Sequence, residues 1–177
     1  MNEKNSSGFT IVETLVAITI LMIAIAGPLV VATKGLTSAV YAKDQMIATF
    51  LAQESIEAIK NIRDNNVSDG VPWLTVGSDD FDLATCTQTH LCDARAVNGL
   101  AFATSCPSGG CPLVFVPGEG YKDSDSAQGL FYRYFYFEDL NGSAPDVELR
   151  LHVIVNWYEG PVPYQIDLTN QLVQPVQ

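Results

Sequence analysis

The hydrophobic and polar positions of this chain fall into four successive patterns, and each predicts a different kind of element. A polar leader carrying Lys4 runs to Gly8, and from Phe9 to Thr33 the only charged residue is Glu13. A helix over 9 to 33, rising about 1.5 Å per residue, reaches on the order of 38 Å, enough to cross a hydrocarbon core about 30 Å thick. Gly27-Pro28 is a local weak point in it, since proline removes a backbone donor and crowds the preceding turn. From Leu36 to Asn65 the pattern changes. Ile47, Leu51, Ser55, Ala58 or Ile59, and Ile62 recur every three to four residues, while Lys43, Asp44, Gln53, Glu57, Lys60 and Asp64 lie away from them. No Gly or Pro interrupts this interval, so it reads as an amphipathic helix continuing the first, stopped by Asn65-Asn66 and Gly70.

Residues 66 to 129 have no long periodic run and most of the turn formers, with Val71-Pro72-Trp73-Leu74 as a short anchoring segment. They predict a loop-rich region. In the last third the period falls to two. Leu130 to Phe137 reads as a strand with aromatic residues on both faces, and Asn141-Gly142 marks a turn. Val147, Leu149, Leu151, Val153, Val155 and Trp157 then alternate with Glu148, Arg150, His152, Ile154, Asn156 and Tyr158, which names one face as buried. After Glu159-Gly160-Pro161, Tyr164 to Leu168 is a closing strand. The expected class is α+β: a long N-terminal helix, half membrane-like and half amphipathic, packed on a C-terminal antiparallel sheet. The surface around Ile47 to Ile62 is the cover that the apolar face of the sheet needs.

The chain has 177 residues, a net charge of −11 and a sequence pI near 4.3. That length allows one domain beyond the apolar helix. The acidic balance argues against direct nucleic-acid binding, which draws most of its affinity from Lys and Arg on phosphates. Cys86, Cys92, Cys106 and Cys111 form an even set suited to an oxidising compartment. Of the three pairings, Cys86 with Cys92 and Cys106 with Cys111 is favoured, because small loops close readily and Pro107-Ser108-Gly109-Gly110 is turn-rich. Zinc is the competing use of these cysteines, though their spacings are wider than a C-x₂-C pair. Acidic groups at Asp79, Asp80 and Asp82, and at Asp123 and Asp125, have oxygens suited to calcium but lack the spacing of an EF-hand, and a solvated turn is the plainer reading. For catalysis, only His90 and His152 offer a general base, His152 on an outward, solvated position of its strand. No G-x-S-x-G elbow, H-E-x-x-H helix or phosphate-binding glycine loop is present. No enzyme activity, cofactor or metal is expected.

Glu13 carries the chemistry of the first segment. A carboxylate inside an apolar helix costs roughly 2.5 kcal/mol or more unless a partner neutralises it. A cut between Gly8 and Phe9 creates an α-amino group four residues before Glu13, and a neighbouring subunit with an axial offset brings its own amine to that acid. At Gly8, Phe9, Thr10 and Glu13 the sequence resembles, position for position, the prepilin signal of type IV pilins and type II secretion pseudopilins.

The resemblance implies cleavage after Gly8 by a prepilin peptidase, N-methylation of Phe9, and pairing of Glu13 with the Phe9 amine of an adjacent subunit. Its implied partners are that peptidase, other pilin or pseudopilin subunits, an inner-membrane assembly platform and the membrane. The fold it implies is pilin-like. Some proteins of that superfamily hold calcium in their heads. The run Val153 to Gly160 with its closing strand, together with Ala48 to Asn65, resembles PilV-like minor pilins and the pseudopilin I group. The expected organisation is a leader at 1–8, a transmembrane or filament-core helix at 9–33, an amphipathic helix at 34–66, a cysteine-containing loop region at 67–129 and the sheet of the head at 130–177. The expected location is the inner membrane, amino end in the cytoplasm and head outside, and then a pilus or pseudopilus at the cell surface. The expected function is a minor-pilin-like structural subunit of a type IV pilus, and three other readings stand beside it: a pseudopilin of a type II secretion or DNA-uptake system, a conventional signal peptide cut at Ala24-Ile25-Ala26, releasing a soluble binding domain from Gly27, and an uncut anchor.

Overall fold

In the computed structural model, which describes residues 8–76, 81–97, 100–124, 129–140 and 148–174, the chain divides into two units, Met1–Lys43 and Asp44–Gln177. Helix α1 (Ile11–Asp69) contributes to both.

In the first unit α1 starts where Thr10 caps it. The Thr10 hydroxyl accepts the Glu13 backbone N–H at 3.3 Å, and the Thr10 carbonyl accepts that of Thr14 at 3.2 Å. A threonine at this position satisfies a donor that the first turn leaves without a partner. Every side chain from Gly8 to Val40 is exposed, including Ile11 at 85% and Ile23 at 75%. Thr14, Thr19 and Thr33 each fold their hydroxyl back onto a backbone carbonyl three residues earlier, which hides a polar group on an apolar surface. Pro28 lies inside the helix. The segment is long and apolar enough to span a membrane.

In the second unit α1 buries Ala48, Leu51, Ala52, Ser55, Ile56, Ala58, Ile59, Ile62 and Asn66. Ile47, expected on this face, is half-buried at its margin. The helix runs a turn past Asn65-Asn66 to Asp69. Asn66 faces inward, donating its side-chain amide to the Trp73 carbonyl at 3.2 Å, and Gly70 makes the stop. With φ at 69°, Gly70 donates to Val67 O, and Val71 donates to Asn66 O at 3.0 Å. This double closure of the last turn needs a left-handed residue, for which glycine pays no steric penalty.

The stretch from 67 to 129, expected as loop-rich, holds short strands: β1 (Thr75–Val76), β2 (Phe81–Asp82), β3 (Cys92–Val97), β4 (Leu100–Ser105), β5 (Cys111–Val116) and β6 (Gly120–Asp123). Among the described residues, β1 and β2 pair only with each other. β3 with β4 and β5 with β6 are hairpins too short to leave a clear period in sequence. The sheet is completed by β7 (Phe131–Asp139), β8 (Glu148–Glu159) and β9 (Val162–Val173), an antiparallel meander. One side of β7 carries β8 along its full length, and the other side is shared. β5 pairs with its first part, Leu113↔Phe131 to Cys111↔Arg133, and β3 pairs beyond, Cys92↔Phe135. The turn at Asn141-Gly142 and the position of Val147 lie outside the described residues.

Two disulfides, Cys86–Cys92 and Cys106–Cys111, hold the hairpins at this junction. Loops this short contribute on the order of 2 kcal/mol each by limiting the unfolded chain. Gly110, inside the loop closed by the second disulfide, has φ at 97°, and a Cβ there would meet Tyr134 at 2.7 Å and the Arg133 carbonyl at 3.2 Å.

Against α1 lie Leu149, Leu151, Val153, Val155 and Trp157 of β8, all at most 4% exposed, and Phe131, Phe135 and Phe137 of β7. Each such burial contributes roughly 1.5 to 3 kcal/mol. Arg133 shares the inward face of β7 and is 1% exposed. Its guanidinium donates from Nε and Nη2 to the two Asp93 oxygens at 2.6 and 3.0 Å, and from Nη1 to the Leu51 carbonyl and Glu54 Oε2, both at 2.9 Å. One side chain thus ties β7, β3 and the helix together. Burial alone would lower its pKa, but Asp93 and then Glu54 outweigh that and hold it above the ordinary arginine value.

Candidate processing and assembly site

The site begins as a backbone problem. Gly8, Phe9 and Thr10 precede the helix without regular structure, Phe9 is 74% exposed, and nothing lies within 4 Å of where a Gly8 Cβ would stand. The Gly8-Phe9 bond is therefore accessible, and Thr10 marks the boundary between it and the capped helix.

Glu13 occupies the third position of the helix, and Thr10-x-x-Glu13 has the spacing of a capping box. A carboxylate in the first turn also complements the positive end of the helix dipole, typically by 0.3 to 1 kcal/mol at an exposed position. This local role was legible in the Thr-x-x-Glu spacing. It offsets part of the cost of an acid at the head of an apolar segment and leaves its carboxylate exposed to a partner.

A family model described as the prokaryotic N-terminal methylation motif matches residues 4–27. This chain carries that motif. It fits the prepilin signal of type IV pilins and pseudopilins, and it brackets the Gly8-Phe9 bond, Thr10 and Glu13 in one match. No curated protein and no solved structure matches the chain. The motif implies a structural subunit that a prepilin peptidase processes and that assembles with other pilins, and it fits a membrane-anchored chain later displayed at the surface.

The remaining sequence candidates lie in the second unit. His90 is exposed in an isolated bridge with Thr87. His152 is not the solvated residue expected of an outward position. Its side chain is 15% exposed, its ring stacks on Tyr136 at 4.8 Å, and its two nitrogens face Asp167 Oδ2 at 3.1 Å and Glu138 Oε2 at 3.3 Å. Arg150 adds an ion pair to Glu138 at 3.0 Å. The hydrogen bond from His152, and then Arg150, holds the Glu138 carboxyl below its ordinary value. Asp82 accepts the Ala84 N–H at 2.8 Å and Asp123 pairs with Arg95, so both acids have protein partners. Asp79, Asp80 and Asp125 lie outside the described residues.

Proposed function

We propose that this chain is a minor-pilin-type structural subunit. It is made as a precursor, anchored by residues 9 to 33, cut after Gly8, methylated on the Phe9 amine and added to a filament by lateral packing of its first helix. The methylation motif over residues 4–27 carries this reading. The exposed apolar surface from Phe9 to Val40 supports it, because such a surface must be covered by lipid or by sister helices. The chain does no chemistry of its own. Glu13 sets axial register by meeting the Phe9 amine of a neighbouring subunit, and the second unit decorates the filament.

Mass spectrometry of the mature amino terminus tests the reading directly. A methylated Phe9 is expected, whereas a chain beginning at Gly27 overturns it in favour of a secreted domain, and one beginning at Met1 in favour of an uncut anchor. A bulky side chain at position 8, as in Gly8→Leu, should leave full-length precursor in the membrane fraction and none in filaments.

A further inference from the structure

Strand β9 runs in unbroken register with β8, from Glu159↔Val162 to Glu148↔Val173, and no strand among the described residues pairs with its far side. The other outer strands, β4 and β6, have six and four residues against its twelve. Natural sheets blunt such edges with short strands, bulges, lysines or prolines. β9 contains no Lys or Arg and no bulge, and its one proline, Pro163, is its second residue. Its inward row is also left half covered. Val155 and Val153 of β8 have no exposed surface, whereas their register partners Ile166 and Leu168 are only half-buried.

We infer that the Gln165–Val173 edge accepts an extended segment of a different polypeptide as an added strand. Leu172 is already covered, so the segment has apolar residues at alternate positions to lie beside Ile166 and Leu168, and a polar one in the same row beside Asn170. Between them it has basic or neutral residues, because the outward row of β9 carries Asp167, the chain has a net charge of −11, and like charges opposite each other on a sheet destabilise it. Backbone hydrogen bonds supply the attachment and the two side-chain rows supply selectivity. A second copy of this chain fits less well than a basic segment, because it would bring the same net charge of −11 and a second Asp167 to the edge.

The test uses the full mature chain in detergent micelles and a short peptide of alternating valine and lysine, with hydrogen exchange as readout. Peptide is expected to protect alternate amides between Gln165 and Val173, since only every second residue of an edge points outward. N-methylating alternate peptide nitrogens on the pairing side should weaken binding at least about tenfold, since each lost backbone bond counts about 1 kcal/mol. Methylating the other set should not. No binding, binding that leaves β9 amides unprotected, or equal binding of both methylated peptides overturns the proposal. Concentration-dependent protection of the same amides without peptide would assign the edge to a second copy and overturn it equally.

Discussion

Glu13 has a local role in the chain and a proposed one in the filament. In the isolated chain it stands in the first turn that Thr10 caps, and in the proposed filament it meets a neighbour's amine. The two are separable. Glu13→Gln keeps the polar shape at the capping position and removes the charge, so processing should remain normal while incorporation into filaments falls. Glu13→Val should do the same more strongly. Immunoblots of cell and sheared-filament fractions check both, and normal incorporation of either variant would leave the carboxylate with only its local role. Arg133 poses a different question. Removing one partner of a buried pair leaves an uncompensated charge, at a cost of about 3 to 5 kcal/mol, whereas replacing the whole group with apolar residues is often neutral. Asp93→Ala should therefore lower the denaturation midpoint sharply, and the double variant Asp93→Leu with Arg133→Met should recover most of the loss. Denaturant titration of each variant gives the comparison.

At the scale of elements, the outward face of β7, β8 and β9 carries a charged row beside the buried Ile154 and the Tyr136–His152 stack, although the alternation sets Ile154 with the polar, outward residues of its strand. Glu138, His152, Asp167 and Arg150 meet there across three strands. Because the folded-state pKa of Glu138 lies below its ordinary value, the stability it contributes is present above pH about 4.5 and is lost as pH falls through the folded value. The melting temperature of the protein should therefore drop on acidification below that point, and Glu138→Gln should show a shallower drop over the same window. The hairpins on the other side of β7 depend on covalent closure instead. Replacing Cys106 and Cys111 by serine should destabilise the protein by about 2 kcal/mol and loosen β4 and β5 first, visible as faster amide exchange in those strands.

On the scale of the whole molecule, the boundary between Lys43 and Asp44 separates a unit with an exposed apolar surface from one with a buried core. A chain beginning at Asp44 should remain folded and monomeric without detergent, because it retains the helix face from Ala48 to Asn66, both disulfides and the Arg133 network. The full chain should partition into membranes. Circular dichroism and gel filtration of the truncated chain check the first expectation, and carbonate extraction of membranes the second. An aggregated truncated chain would mean that residues before Asp44 contribute to the core.

The contrast between what was legible and what was not follows from the range of the interactions. The long helix, the inward parity of Leu149 to Trp157 and the meander of the last three strands are local patterns, since burial on one face imposes a period of 3.6 or 2 on neighbouring residues. Gly8, Phe9, Thr10 and Glu13 are likewise read along the chain, because a processing signal is recognised as a contiguous segment. The hairpins of 92 to 123 were hidden because their strands are too short to display a period, and His152 looked solvated because its partners come from β7 and β9. Arg133 carried one signal, its shared parity with Phe131, Phe135 and Phe137, yet a buried arginine makes sense only once Asp93, forty residues before it, and the Leu51 carbonyl are brought to it. Sequence alone determined which segments are helix or meander and that the chain carries the methylation motif. Tertiary structure decided which charges are buried, which hairpin flanks β7 and which edge of the sheet stays open, because those depend on contacts between residues that no local period connects.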